Sequence, residues 1–453
     1  MRLRHPLLAA AAALASLVAT AEGRAETLIE ALSDAYNNNP QIQAERANLR
    51  ATDEAVPQAL SGWRPTVTFN GAVGLQHVED RPPSRDVAGP IPRVADLNIT
   101  QPIYSGGRTV ALTAQAEKTV EAERARNIAT ESTVFLSVIQ AYLDVVRDQA
   151  TLELSVNNEQ VLRKQLEATA DQFRVGAVTR TDVAQAEARL AGATASRLQA
   201  EGNLQVSRAN YERAVGHPPE RLVAADLRPV LPQTRDDAIN LAALNNPNVI
   251  AAIFTEDAAR DAIDATRAQL LPTLNLIGDV NRSVSTIIDN QTQSAASITA
   301  RVTVPLYEAG NVYSQTRQAT EVLGQRRGQT DDARRAAVQG ATQGWEQTSS
   351  GRAQIISLQS TIRAAEIALE GTQQEQTVGA RTILDVLNAE QELFTNRVQL
   401  VTAQHDLALA EFNLALQIGQ LTAADLRLPV KLYDVDEHYR AVRDKWLGFG
   451  PKQ

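Results

Sequence analysis

Gln101-Pro102-Ile103-Tyr104-Ser105-Gly106-Gly107 returns later in the chain as Val304-Pro305-Leu306-Tyr307-Glu308-Ala309-Gly310, 203 residues on. The same offset of 203 links Val175-Gly176-Ala177 to Val378-Gly379-Ala380, Asp182-Val183 to Asp385-Val386, and Ala186-Glu187 to Ala389-Glu390. Upstream the offset is 207: Asn39-Pro40 returns as Asn246-Pro247, Pro65-Thr66 as Pro272-Thr273, and Gly71 as Gly278. The change of register falls between 71 and 102, which marks a surface loop, where length changes are tolerated. One offset held over more than eighty residues is a tandem duplication. The copies run over 26–216 and 233–426. A linker, 217–232, carries Pro218, Pro219, Pro229 and Pro232, and a tail, 427–453, follows the second copy.

Each copy opens on helical sequence and then changes period. In 66–76, Val67, Phe69, Val73 and Leu75 share one face, and Thr66, Thr68, Asn70 and Gln76 take the other. Ala95, Leu97 and Ile99 alternate with Asp96, Asn98 and Thr100. The second copy repeats this with Leu274, Leu276 and Val280, and again with Ile298, Ala300, Val302 and Val304. Strict alternation predicts strands with one apolar face, so each copy holds a hairpin, over 66–104 and 273–307, with polar loops at 77–93 and 284–295. No proline then interrupts 103–217 or 306–428, which permits long helices over 105–216 and 308–420. Ile355, Leu358, Ile362, Ala365 and Leu369 step by three and four, and Val386, Leu393, Leu400, Leu407 and Leu414 repeat every seven, as in a coiled-coil seam. Gly176 and Gly379 stand where a turn reverses each long helix. A helix from Thr109 to Phe173 is roughly 100 Å long.

Composition narrows the function. The chain has 453 residues, only 4% aromatic, a formal net charge of -9 and no cysteine. Acidity gives no footing for nucleic acid, and the lack of Cys excludes disulfides, Cys-based zinc sites and an acylated N-terminal Cys. Arg2, Arg4 and His5 precede an apolar run from Leu7 to Ala19, and Gly23-Arg24-Ala25 fits a cleavage site. Residues 1–25 read as a secretory signal peptide, with cleavage after Ala25 or, as a second choice, after Ala21. The run is too short to span the ~30 Å hydrocarbon core as a helix. His5, His77, His217, His405 and His438 offer no pair at metal-ligand spacing. His405 and Asp406 are adjacent on a helix, where neighbouring positions do not face each other. No phosphate loop or nucleophile elbow occurs. No cofactor, metal or catalytic residue is expected, and the protein is read as not an enzyme.

Four amphipathic strands in a secreted chain cannot stand open in lipid, because edge groups go unpaired. A dimer's eight strands would make a filled barrel, whereas a trimer's twelve would leave a lumen. These features resemble the TolC-type outer-membrane efflux protein family over nearly the whole mature length. The resemblance is carried by the two Asn-Pro pairs, the strand starts Arg64-Pro65-Thr66 and Leu271-Pro272-Thr273, the two strand exits quoted at the outset, and the turns Phe173-Arg174-Val175-Gly176 and Thr377-Val378-Gly379-Ala380-Arg381-Thr382. It implies an α-helical coiled-coil barrel in the periplasm and a transmembrane β-barrel in outer-membrane lipid. The protomers are duplicated with four strands each, forming a homotrimer with a twelve-stranded barrel. The implied function is an exit duct that docks a periplasmic adaptor and an inner-membrane pump, ABC-type or other, for protein secretion or drug efflux. Tyr433-Asp434-Val435-Asp436-Glu437-His438-Tyr439 and Arg443-Asp444-Lys445-Trp446 resemble the type I secretion branch.

The resemblance also implies a periplasmic gate. Asp182 and Arg381 match positions whose contacts hold the entrance shut. Asp385 matches the first of an acidic pair, but the second position is the neutral Asn388. One carboxylate ring is therefore expected, and such rings favour cations. Solvated surface charge is the bland alternative for these residues. The rival readings of the whole chain are a periplasmic adaptor and a structural coiled-coil protein without a membrane barrel.

Overall fold

A computed structural model describes residues 26–75, 91–223, 227–285 and 291–450. The expected signal peptide, His5, His77 and most of the two hairpin loops lie outside the described residues. In chain order the helices and strands are α1 (Leu28–Asn38), α2 (Pro40–Asp53), α3 (Ala55–Leu60), β1 (Thr66–Val73), β2 (Arg93–Ser105), α4 (Arg108–Arg174), α5 (Arg180–Val215), α6 (Arg235–Asn245), α7 (Pro247–Arg267), β3 (Thr273–Val284), β4 (Thr292–Thr303), α8 (Asn311–Thr377), α9 (Ile383–Gln417) and α10 (Glu437–Val442). The chain divides into two compact units. One comprises the described residues of Met1–Gln43, Thr130–Ala242 and Val338–Leu432. The other comprises those of Ala44–Ala129, Ala243–Ala337 and Tyr433–Gln453.

The duplicated Asn-Pro pairs have a local cause. Asn39 Oδ1 accepts from Gln41 N, and Asn246 Oδ1 from Asn248 N, each at 2.9 Å. Each Asn thereby caps the helix that its Pro opens, where a missing N–H costs nothing. In the first unit, α1 buries Leu28, Ala31, Leu32, Ala35 and Tyr36. The Tyr142 hydroxyl donates to Val223 O at 2.7 Å and Glu26 O at 3.0 Å, which fastens the start of the described chain to α4. Helix α5 buries Ala186, Ala193 and Ala200, seven apart, small residues that let helix backbones approach closely.

The second unit holds one antiparallel sheet in the order β1-β2-β3-β4. The two hairpins meet at β2 and β3, with Leu97 opposite Val280 and Asn98 opposite Asp279. The strands outrun the loops read from sequence: β2 already begins at Arg93, β3 reaches Val284, and β4 begins at Thr292. They also end differently. Strand β2 continues through Pro102 to Ser105, with a register shift between Pro102 and Tyr104. Strand β4 stops at Thr303, so Pro305, Leu306 and Tyr307 lie past it. The reason is position in the sheet. Central β2 has β3 to hold its last residues, Tyr104 opposite Leu274 and Ser105 opposite Thr273, and the bulge absorbs the proline. Edge strand β4 has a neighbour on one side only among the described residues.

Candidate functional site: the membrane sheet and the helical turns

The sheet is inverted relative to a soluble protein. Residues directly opposite each other share a face, and the register puts Val67, Phe69, Leu97, Ile99, Leu276, Val280, Ile298, Ala300 and Val302 on one side. On the two central strands that apolar side is the exposed one: Leu276 is 41% exposed and Val280 55%. The other side carries Thr66, Thr68, Asn70, Asp96, Asn98, Thr100, Asp279, Asn281, Ser297 and Thr299. On β2, Asp96, Asn98 and Thr100 are half-buried, while Leu97 and Ile99 are exposed. Asn70 donates to Asp96 Oδ1 at 3.2 Å across that face. Water would drive the opposite arrangement, whereas hydrocarbon outside and an aqueous interior require this one. No helix among the described residues is long and apolar enough to cross a membrane.

The helix turns lie in the first unit and repeat each other bond for bond. Gly176 N donates to Phe173 O at 3.0 Å and Ala177 N to Gln172 O at 2.9 Å; Gly379 N donates to Gln376 O at 3.0 Å and Ala380 N to Glu375 O at 2.8 Å. Gly176 and Gly379 have φ of 79° and 78°, the left-handed C-cap that glycine supplies without strain. The returning helices start on capping boxes. Asp182 accepts from Thr179 N at 2.9 Å and from its hydroxyl at 2.8 Å. Asp385 accepts from Thr382 N at 2.9 Å and from its hydroxyl at 2.7 Å. These backbone and side-chain hydrogen bonds, helped by the nearby Arg381 charge, hold the Asp385 carboxyl below its ordinary pKa.

Within one chain, the structure does not bring Asp182 and Arg381 together. Arg381 pairs with Glu375 at 3.0 Å, and Asn388 Oδ1 accepts from Arg189 at 2.8 Å. Sequence reasoning gave no role to Thr179, Glu375 and Arg189, and named Thr382 only as part of the turn. The two threonines had a legible signal, since Thr-x-x-Asp before a helix is a capping box. Beneath the turns, Leu162, Ala186, Ala193, Ile383 and Leu387 form a buried cluster.

One sequence expectation is overturned. His405 and Asp406 do meet, with Nδ1 2.9 Å from Oδ1. Two short side chains leaving adjacent helix positions can still bend toward each other at their tips. His405 is buried, and its Nε2 lies 3.0 Å from Asp144 of α4. Burial and Arg147 act to lower its pKa, but the carboxylates of Asp144 and Asp406 on either side of the ring raise it on balance. At His217 burial again opposes protonation, while the Pro218 carbonyl and the carboxylates of Glu26 and Asp34 carry the pKa upward.

The family model for "Outer membrane efflux protein" matches residues 31–217 and 238–420. The chain belongs to the outer membrane efflux protein family. The outer membrane efflux protein BepC of Brucella suis is 34% identical over 98% of this chain and 96% of its own length. The alkaline protease secretion protein AprF of Pseudomonas aeruginosa is 30% identical over 74% of this chain and 71% of its own. Among solved structures, the outer membrane protein VceC of Vibrio cholerae superposes with a TM-score of 0.75 at 20% identity, covering 86% of this chain and 96% of that one. This outer membrane efflux protein is therefore a TolC-type channel. Its sheet is the outer-membrane part, its long helices form the periplasmic tunnel, and the readings as an adaptor or a barrel-less coiled coil fall away.

Proposed function

We propose that three copies close their four-stranded sheets into one twelve-stranded barrel and form the exit duct of a tripartite export system. The carrying observation is the sheet itself, whose apolar face is the exposed one on its central strands and whose outer strands β1 and β4 each lack a neighbour on one side among the described residues. Backbone groups on such edges are costly in hydrocarbon, and closure by other copies removes the cost. The helices support the same reading. Ile355, Leu358, Ile362 and Leu369 stay only half-buried within one chain, as a coiled-coil seam does before its partners arrive.

The turns at Gly176 and Gly379 are the surface for a periplasmic adaptor and, beyond it, an inner-membrane pump. Asp182 and Arg381, each free to reach a neighbouring copy once its local bond breaks, close the entrance, while Asp385 supplies a ring of three carboxylates above the neutral Asn388. The likeness to AprF and the stretch Tyr433–Trp446 support type I protein secretion served by an ABC-type pump. The duct conducts and does not catalyse. Extracted in mild detergent, the protein is expected to run as a trimer and to give discrete conductance steps in planar bilayers. A monomer that remains soluble without detergent would overturn the reading.

A further inference from the structure

Near the end of the described chain, Lys445-Trp446-Leu447-Gly448-Phe449 belong to the same unit as the sheet and are held at its helical end. Arg64, two residues before β1, donates from Nη1 to Lys445 O at 2.7 Å. Its guanidinium lies over the Trp446 ring, 5.2 Å from the centroid, a cation–π contact. The preceding turns are tied down equally well. Arg443 pairs with Glu117 at 3.1 Å, His438 lies 3.1 Å from Asp53, and the Arg124 guanidinium sits 5.2 Å from the Tyr439 ring centroid.

This well-anchored tail carries side chains that the described residues leave largely exposed. Trp446 is 64% exposed, Leu447 89%, and Phe449 fully so. Gly448, at φ 103°, supplies the turn between the last two. A cluster of this kind marks an interaction surface. The same end of the sheet carries exposed Tyr104, Leu306 and Tyr307 and the part-exposed Trp63. This is the level at which the outward apolar face of the strands stops and the periplasmic helices start. Trp and Tyr favour that level because the ring is amphipathic and sits among headgroups.

We propose that Trp446-Leu447-Gly448-Phe449 is an interfacial anchor that inserts into the periplasmic leaflet of the outer membrane beside the start of β1. The occupant is phospholipid at the headgroup–acyl boundary, because the cluster is fastened through Arg64 at the start of β1, the level at which the exposed apolar row of the strands ends. Two aromatic rings and a leucine give reversible insertion of the kind seen for interfacial segments.

The test uses the full-length protein in phospholipid nanodiscs. The chain has three tryptophans, so Trp63→Phe with Trp345→Phe leaves Trp446 as the reporter. Lipids brominated near the headgroup are expected to remove most of its emission, and lipids brominated at the chain end far less. Emission quenched by iodide but not by brominated lipid places the ring in water and overturns the proposal. Blue-shifted emission quenched by neither places it against another copy of the chain and also overturns it. If the double variant fails to fold, Phe449→Cys in the otherwise native chain carries a single spin label. Oxygen must then relax that label more effectively than a water-soluble nickel complex does, and the reverse order overturns the anchor.

Discussion

Gly106 shows how one residue joins strand to helix. Its φ is 65°, and a Cβ placed there would stand 2.6 Å from Ala268 O and 2.9 Å from Leu271 Cβ. Both the left-handed backbone and the close approach of the chain entering β3 require glycine. Gly107 has φ of 84° but nothing within 4 Å of an added Cβ. Gly106→Ala is therefore expected to lower the yield of folded channel well below that of Gly107→Ala, which meets only the backbone cost of about 1–3 kcal/mol. Equal yields in a heat-modifiability assay would show that the junction relaxes. The gate is also a matter of single residues, and the caps change how it must be tested. Asp182→Ala removes a capping acceptor as well as a charge. Thr179→Ala weakens the same cap, about 0.5–2 kcal/mol, and keeps the charge. If contacts of Asp182 and Arg381 shut the entrance, the double change to Ala raises resting conductance beyond either single change, and Thr179→Ala leaves it low. Conductance rising equally in Thr179→Ala would assign the effect to fraying. Asp385→Asn is expected to reduce cation preference with the gate still shut, and unchanged selectivity would remove that carboxylate from the lumen.

At the scale of the element, β4 has no covered side in one chain, so exposure alone does not tell its faces apart; register does. Ile298 stands opposite Gly278 in the apolar row, and Thr299 opposite Ile277 in the row that contains Thr100. Adjacent residues thus face lipid and lumen. Ile298→Lys places an ammonium in hydrocarbon at a cost of about 2–4 kcal/mol per copy near the midplane. It should strongly reduce the amount of assembled channel. Thr299→Lys, one residue on, should assemble normally and shift ion selectivity toward anions. Comparable assembly of both variants, measured by the trimer fraction after extraction, would contradict the face assignment.

Across the whole molecule, stability should depend on pH above the carboxylate range through two histidines. His405 and His217 both have folded pKa values above the ordinary 6.5. A raised folded pKa means the protonated form is favoured by folding. That contribution is complete below 6.5 and is lost as pH rises through the folded values. The assembled protein should therefore melt at a lower temperature on the alkaline side of this window. His405→Gln should flatten the dependence, because it removes the group held between Asp144 and Asp406. Melting followed by circular dichroism decides the matter, and an unchanged slope in the variant would locate the titration elsewhere.

The duplication, the alternating strands, the proline-free helices and the glycine turns could all be read from the chain alone. Each is written in local periodicity or in a backbone requirement of the residue itself, as at Gly176 and Gly379. The Thr-x-x-Asp caps were equally local and could have been read. Tertiary structure decided what depends on residues far apart in sequence. It made β2 central and β4 an edge, so Pro102 sits in a bulge while Pro305 falls outside the sheet. It brought Asp144 to His405 and Lys445 to Arg64, pairs separated by 261 and 381 residues. Periodicity says which face of a segment is apolar. Only the contacts across the fold say whether that face meets protein, water or lipid, and here the pairing register with the exposed apolar row says lipid.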